Sequence, residues 1–186
     1  MITKSAKLNL ELRGEKVFLR PPVAVDYEEF AALMRKSCCF YRYLVTPFKG
    51  RKQFAEYVRR SPNKDTFRFL ICRNSDGVIV GSIGLFHIVR RALQSGIVGY
   101  MVGVPFARQG FATEALRLVL RFAFKTLKLH RVEASIQPHN AASIALVKRA
   151  GFTHEGYSRR FVKIAGKWRD HERWAILAED WSKQRR

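Results

Sequence analysis

The apolar positions change their period along the chain, and the changes mark its elements. "KVFLRPP" (16–22) reads as an opening strand stopped by two prolines. In 25–36 the apolar residues Tyr27, Phe30, Ala31 and Met34 recur at helical spacing, and Asp26 stands where it can cap the helix. "RKQFAEYVRR" (51–60) predicts a second, more basic helix. The period then drops to two. "TFRFLICR" (66–73) alternates, "NSDG" (74–77) turns, and 78–89 is apolar and β-branched, which together predict a hairpin. "SGIVGYMVGV" (95–104) continues the run with another strand. A long helix follows at 111–127, with Ala112, Ala115, Leu116, Val119, Ala123 and Leu127 on one face. Residues 131–136 predict a strand and 141–150 a short helix, with Gly151 where a helix end favours a left-handed residue. The segment 151–178 reads as two strands joined by "AGKW". This order predicts an α+β fold: a mixed, largely antiparallel sheet of about seven strands flanked by helices. With no repeat, low-complexity segment or linker, 1–186 reads as one domain with a short basic tail at 182–186.

Composition narrows the class. A chain of 186 residues that is 47% hydrophobic can bury a sizeable core. No apolar run reaches the roughly 18 residues of a bilayer span, and "MITKSAKLNLELRGEK" lacks the apolar core of a secretory signal. Cys38, Cys39 and Cys72 form neither a disulfide framework nor a CxxC pair suited to zinc, so the expectation is a cytoplasmic protein with reduced thiols and no metal. The sequence leaves monomer and homodimer open.

Charge adds a partner class. Lys and Arg number 35 against 15 Asp and Glu, a net charge of +20, which attracts polyanions. Arg159, Arg160, Lys163, Lys167, Arg169 and Arg173 crowd one segment, and Lys183, Arg185 and Arg186 form the tail. RNA, a ribonucleoprotein surface and a phosphorylated cofactor all suit that field. Trp168, within the basic segment, and Trp174, just after it, read as packing residues.

Chemistry enters at "ARQGFATEA" (107–115), between a strand and the long helix. A helix N-terminus offers unpaired N–H groups and a positive partial charge, and so accepts a phosphate. Gly110 and the small Ala112 allow close backbone approach, and Arg108 adds a donor. In "PHNAAS" (138–143), Asn140 suits an N-cap and Ser143 falls at the third helical position. Two neighbouring strands that each end in a polar helix entry leave a cleft for a long ligand with phosphates at one end.

Gly99-Tyr100, "RQGFATEAL", "HRVEASIQPHNAASIALVKRAGF", "EGYSR" and "GKWRDHERWAIL" resemble, in order and spacing over about 78–178, the GNAT acetyl-CoA-dependent N-acetyltransferases. Within them they look like the RimJ/RimL type, which acetylates N-terminal amines of ribosomal proteins. The resemblance implies that Arg108, Gln109, Gly110, Phe111, Ala112 and Thr113 bind the pyrophosphate of acetyl-CoA. It implies that Met101, Val102 and Gly103 hold the pantetheine arm, that Asn140 contacts the cofactor, and that Ser143 lies near the thioester sulfur. It hands over no base: Val98 precedes Gly99-Tyr100 where many relatives carry an acid, and Val162 stands where some RimL-type enzymes carry Glu.

Transfer from a thioester needs a neutral amine, a stabilised oxyanion and a proton for the leaving sulfur. An α-amine, with a pKa near 7.8, is neutral to a sizeable extent at pH 7, whereas lysine is neutral in under about one part in a thousand. An N-terminal acceptor therefore needs only a weak base. Glu133 or His139, acting through water, is the candidate, with Ser143 as proton donor and a backbone N–H near Val102 for the oxyanion. The leading function is an N-acetyltransferase acting on a protein N-terminal α-amine, probed against two alternatives. One is a small-molecule amine acetyltransferase; the other is a ribosome- or RNA-binding module that retains the cofactor site.

Overall fold

The computed structural model describes residues 10–41, 44, 50–59, 63 and 65–183. A two-residue strand β1 (Leu12–Arg13) precedes β2 (Val17–Arg20). Then come α1 (Tyr27–Tyr41), α2 (Arg51–Arg59), β3 (Phe67–Arg73), β4 (Ile79–Val89) and β5 (Ser95–Val102). The second half runs α3 (Phe111–Arg121), β6 (Arg131–Ile136), α4 (Ala141–Arg149), β7 (Thr153–Ile164), β8 (Lys167–Leu177) and α5 (Ala178–Lys183). The strands form one eight-stranded sheet in the order β1-β2-β3-β4-β5-β6-β8-β7. Every pairing is antiparallel except β5 with β6.

The sheet is covered on both faces. Along β3 the residues alternate between two cores: Phe69 and Ile71 pack with Ala115, Leu116 and Val119 of α3, whereas Leu70 and Cys72 pack with Phe30 and Leu33 of α1 and Phe54 of α2. Burying each such aliphatic or aromatic side chain contributes about 1.5–3 kcal/mol. Helix α4 adds Leu146 and Val147 to the α3 side.

Several expectations change in detail. Helix α1 runs to Tyr41, beyond the expected end at 36, because its last turns are tied to the loop after β5. Ser37 Oγ donates to the Leu33 carbonyl and accepts the Val104 N–H. Asp26 does not cap α1. It lies in a 3₁₀ turn (Ala24–Asp26), where its carboxylate accepts the Val23 N–H at 2.7 Å and both prongs of Arg20 at 2.8 and 2.7 Å. Regular α3 ends at Arg121, and a wider π-helical turn (Phe122–Thr126) brings Phe122, Ala123 and Phe124 all into the core. Part of the expected tail is helical, since Ser182 and Lys183 close α5; Arg185 and Arg186 lie outside the described residues. Trp174 is buried as expected, but Trp168 is 59% exposed because it stands near the tip of the β7–β8 hairpin, opposite Lys163. No helix among the described residues is long and apolar enough to cross a membrane.

Candidate active site

The site begins where two parallel strands part. β5 and β6 pair only over Ser95–Ile97 with Arg131–Glu133. Beyond that point β5 stays with β4, as far as Val102 opposite Gly81, and β6 stays with β8, as far as Ile136 opposite Glu172. The divergence opens a cleft of about 880 Å³, floored by Val98–Val102 and 134–137 and closed by the 104–113 loop and α4. Ser135 Oγ is buried in its wall and has no hydrogen-bond partner among the described residues.

At one end lies the start of α3. Gly110 is its N-cap at φ 87°, a left-handed geometry that glycine adopts without a Cβ clash, and no side chain caps the helix. The first-turn residues Phe111, Ala112 and Thr113 line the cleft, so their N–H groups are uncapped by any side chain at its wall. Arg108, itself at φ 61°, is exposed on the cleft wall, and Arg149 of α4 lines the cleft as well. Phe111 anchors the turn in the core, edge-on to Phe106 at 6.5 Å. Ala112 and Thr113 line the cleft.

Gln109 and Gly103 do not line it. The Gln109 side chain donates to the Pro105 carbonyl at 3.2 Å, and the Gln109 backbone carbonyl accepts from the Lys16 ammonium at 3.4 Å. Gly103 donates its N–H to Val80 at 2.8 Å and packs so tightly on Leu33 that a Cβ would come within 2.2 Å of that side chain. Met101 and Val102 do line the cleft. A residue unmarked in the sequence meets Val102 there: the Tyr41 hydroxyl donates to the Val102 carbonyl at 2.7 Å and accepts its N–H at 3.2 Å. Burial pushes the Tyr41 hydroxyl pKa up, so it stays protonated as that donor.

Across the cleft Asn140 caps α4, its Oδ1 accepting the Ser143 N–H at 3.2 Å. The Ser143 carbonyl accepts from the Tyr100 hydroxyl at 3.4 Å, and burial pushes Tyr100 up to about 12. Both Asn140 and Ser143 line the cleft.

The two expected bases stand elsewhere. Glu133 is outside the cleft lining, and its carboxylate is held by Arg131 at 2.9 Å and Arg173 at 2.7 Å. Both of its oxygens are therefore taken up in ion pairs. His139 is exposed on the loop before α4 and also outside the lining. A different histidine lines the cleft. His171 is only 4% exposed, and it is the first β8 residue beyond the end of β6, since Ile136 pairs with Glu172. Within "RDHERW" nothing marks it, because its burial depends on where β6 stops.

Residues 16–153 match the acetyltransferase (GNAT) domain family. The probable N-acetyltransferase YjcK of Bacillus subtilis is 37% identical over 91% of this chain and 98% of its own length. This chain is a GNAT acetyltransferase. The Escherichia coli [ribosomal protein uS5]-alanine N-acetyltransferase is 35% identical over 56% of this GNAT chain and 54% of its own length. The solved structure of Mycobacterium smegmatis RimJ in complex with CoA-disulfide superposes with a TM-score of 0.76 at 30% identity, covering 91% of this chain and 87% of that one.

GNAT enzymes use acetyl-CoA, and the residues present fit it. The uncapped first turn of α3 beside Arg108 offers donors for a pyrophosphate at a position without a Cβ. The strand divergence leaves a slot beside exposed β5 edge, and the unpartnered Ser135 hydroxyl in its wall suits a polar ligand.

Proposed function

We propose that this N-acetyltransferase acetylates the α-amine of a protein N-terminus with a small first residue, that of a ribosomal protein. The carrying observation is the charge of the cleft: its described lining contains Arg108 and Arg149 but no carboxylate. A polyamine or aminoglycoside would require acidic walls, and a lysine a stronger base than an α-amine does. The activity of the Escherichia coli relative, alanine N-acetylation of ribosomal protein uS5, supports the same acceptor.

Acetyl-CoA supplies the acetyl group, activated as a thioester. In this reading the N–H groups of Gly110, Phe111, Ala112 and Thr113, with Arg108, bind the pyrophosphate. The backbone of Met101 and Val102 lines the pantetheine arm, with Tyr41 holding Val102 in place, while Gly103 and Gln109 set the shape of the loop. Asn140 fixes the start of α4 so that Ser143 can protonate the leaving sulfur. The basic β7–β8 hairpin beside the cleft binds RNA next to the acceptor.

The test is thiol release with a panel of acceptors. A peptide with N-terminal alanine is expected to turn over at least tenfold faster, in kcat/KM, than spermidine or an aminoglycoside. The reverse order would make the small-molecule reading the better one, and no turnover with any acceptor would favour a binding module.

A further inference from the structure

We propose that His171 is the general base that takes the proton from the acceptor's α-ammonium. The inference rests on the α-amine reading above and adds the group which that reading leaves unnamed. Three features of the side chain carry it. First, His171 lines the cleft at the end of β6, on the same wall as Ile136 and Gln137 and near the start of α4.

Second, its tautomer is fixed. Nδ1 lies 3.0 Å from the Arg169 carbonyl oxygen. A carbonyl only accepts, so Nδ1 carries the hydrogen and Nε2 the lone pair. No partner occupies Nε2 among the described residues. A backbone acceptor that orients one ring nitrogen and leaves the other basic is the arrangement a general base needs. The Phe161 ring packs edge-on to the imidazole at 6.0 Å.

Third, the ring is neutral at working pH. Burial lowers its pKa below the usual 6.5, and Arg173 and His139 lower it further. The bond to Arg169 and the neighbouring Asp170 oppose that shift without reversing it. Arg149, on α4, faces the same cleft and adds positive charge. Asp170 is itself occupied, since its carboxylate accepts from the Tyr157 hydroxyl at 2.6 Å and the Arg160 N–H at 2.7 Å.

As the amine closes on the acetyl carbon, the α-ammonium gives one proton to Nε2, which afterwards passes it to solvent. The freed lone pair forms the C–N bond to the acetyl carbon as the C–S bond breaks. The second proton leaves the nitrogen and ends on the sulfur, so the products are an amide, a thiol and one released proton.

The test compares wild type with His171→Asn, whose side-chain amide keeps a donor for the Arg169 carbonyl. With saturating N-terminal-alanine peptide, wild-type kcat should be flat from pH 8.5 to about 6.5 and fall only below it. The variant has no internal acceptor for the proton and uses only amine that is already neutral, about one twentieth of the total at pH 6.5 for a pKa near 7.8. Its kcat should therefore be about twentyfold below wild type at pH 6.5, climb about sevenfold from pH 6.5 to 7.5, and approach wild type by pH 8.5. Its acetyl-CoA affinity should be unchanged. Parallel pH profiles for the two proteins would overturn the proposal. A ¹⁵N titration of His171 in the wild type needs no acceptor, and so separates this proposal from the acceptor reading. The proton should sit on Nδ1 and the pKa below 6.5. An Nε2–H tautomer, or a pKa above 7, would overturn the proposal even if the peptide is acetylated, whereas loss of peptide turnover in wild type would remove the acceptor reading.

Discussion

Gly110 carries the most direct consequence at the scale of single residues. Its φ of 87° and its place at the uncapped start of α3 make it both a conformational requirement and a clearance. A Cβ there has room within the fold, since the nearest atom is Lys16 Nζ at 3.6 Å, so crowding in the free protein is not the issue. Gly110→Val should cost about 1–2 kcal/mol for the left-handed backbone and leave a folded protein. It should weaken acetyl-CoA binding by tenfold or more, because the branched side chain projects where a phosphate must approach. Acetyl-CoA at a hundredfold over its Kd should stabilise the wild type by about 2.7 kcal/mol. Calorimetry and thermal melts read both effects, and wild-type affinity in the variant would make this loop purely structural. The sequence shows Gly110, Ala112 and Asn140 by residue type alone, because small residues and caps act locally. It hides Tyr41 and His171, whose roles depend on contacts 61 residues away for the tyrosine and on where β6 ends for the histidine.

Elements were legible where one face is apolar and illegible where pairing decides. The 3.6-residue rhythm of α3 and the alternation of β3 each follow from a covered face. The parting of β5 from β6 does not, because both strands keep their antiparallel partners while losing each other. The β7–β8 hairpin makes the same point. Past Glu172, β8 loses β6 as a neighbour, so 158–171 projects as a two-stranded ribbon beside the cleft. Phe161 and Trp168 are exposed on it, with Tyr157 at its base, among Arg159, Arg160, Lys163 and Lys167. Exposed rings interleaved with cations suit stacked bases and phosphates of single-stranded RNA. Replacing those four cations with alanine should weaken binding to an RNA oligomer and flatten the slope of log K against log salt by about 3, if each meets one phosphate. Peptide turnover should change less than twofold. RNA affinity equal to wild type would remove the ribbon from the account.

The whole molecule joins a cofactor-sized cleft, a net charge of +20 and a sheet split at one parallel pair. The charge was plain in the sequence, but its sign speaks of partners and not of the reaction. The reaction follows from the family and the cleft; the α-amine acceptor is the proposal, supported by a cleft whose described lining contains no carboxylate. The central claim is therefore selectivity for an α-amine. It is tested most directly by mass spectrometry of one alanine-initiated peptide with an internal lysine, incubated with enzyme and acetyl-CoA once with a free N-terminus and once with it blocked. A single added acetyl group is expected on the α-nitrogen of the free form, and none on the blocked form. Equal acetylation of the two forms, at the lysine, would contradict it.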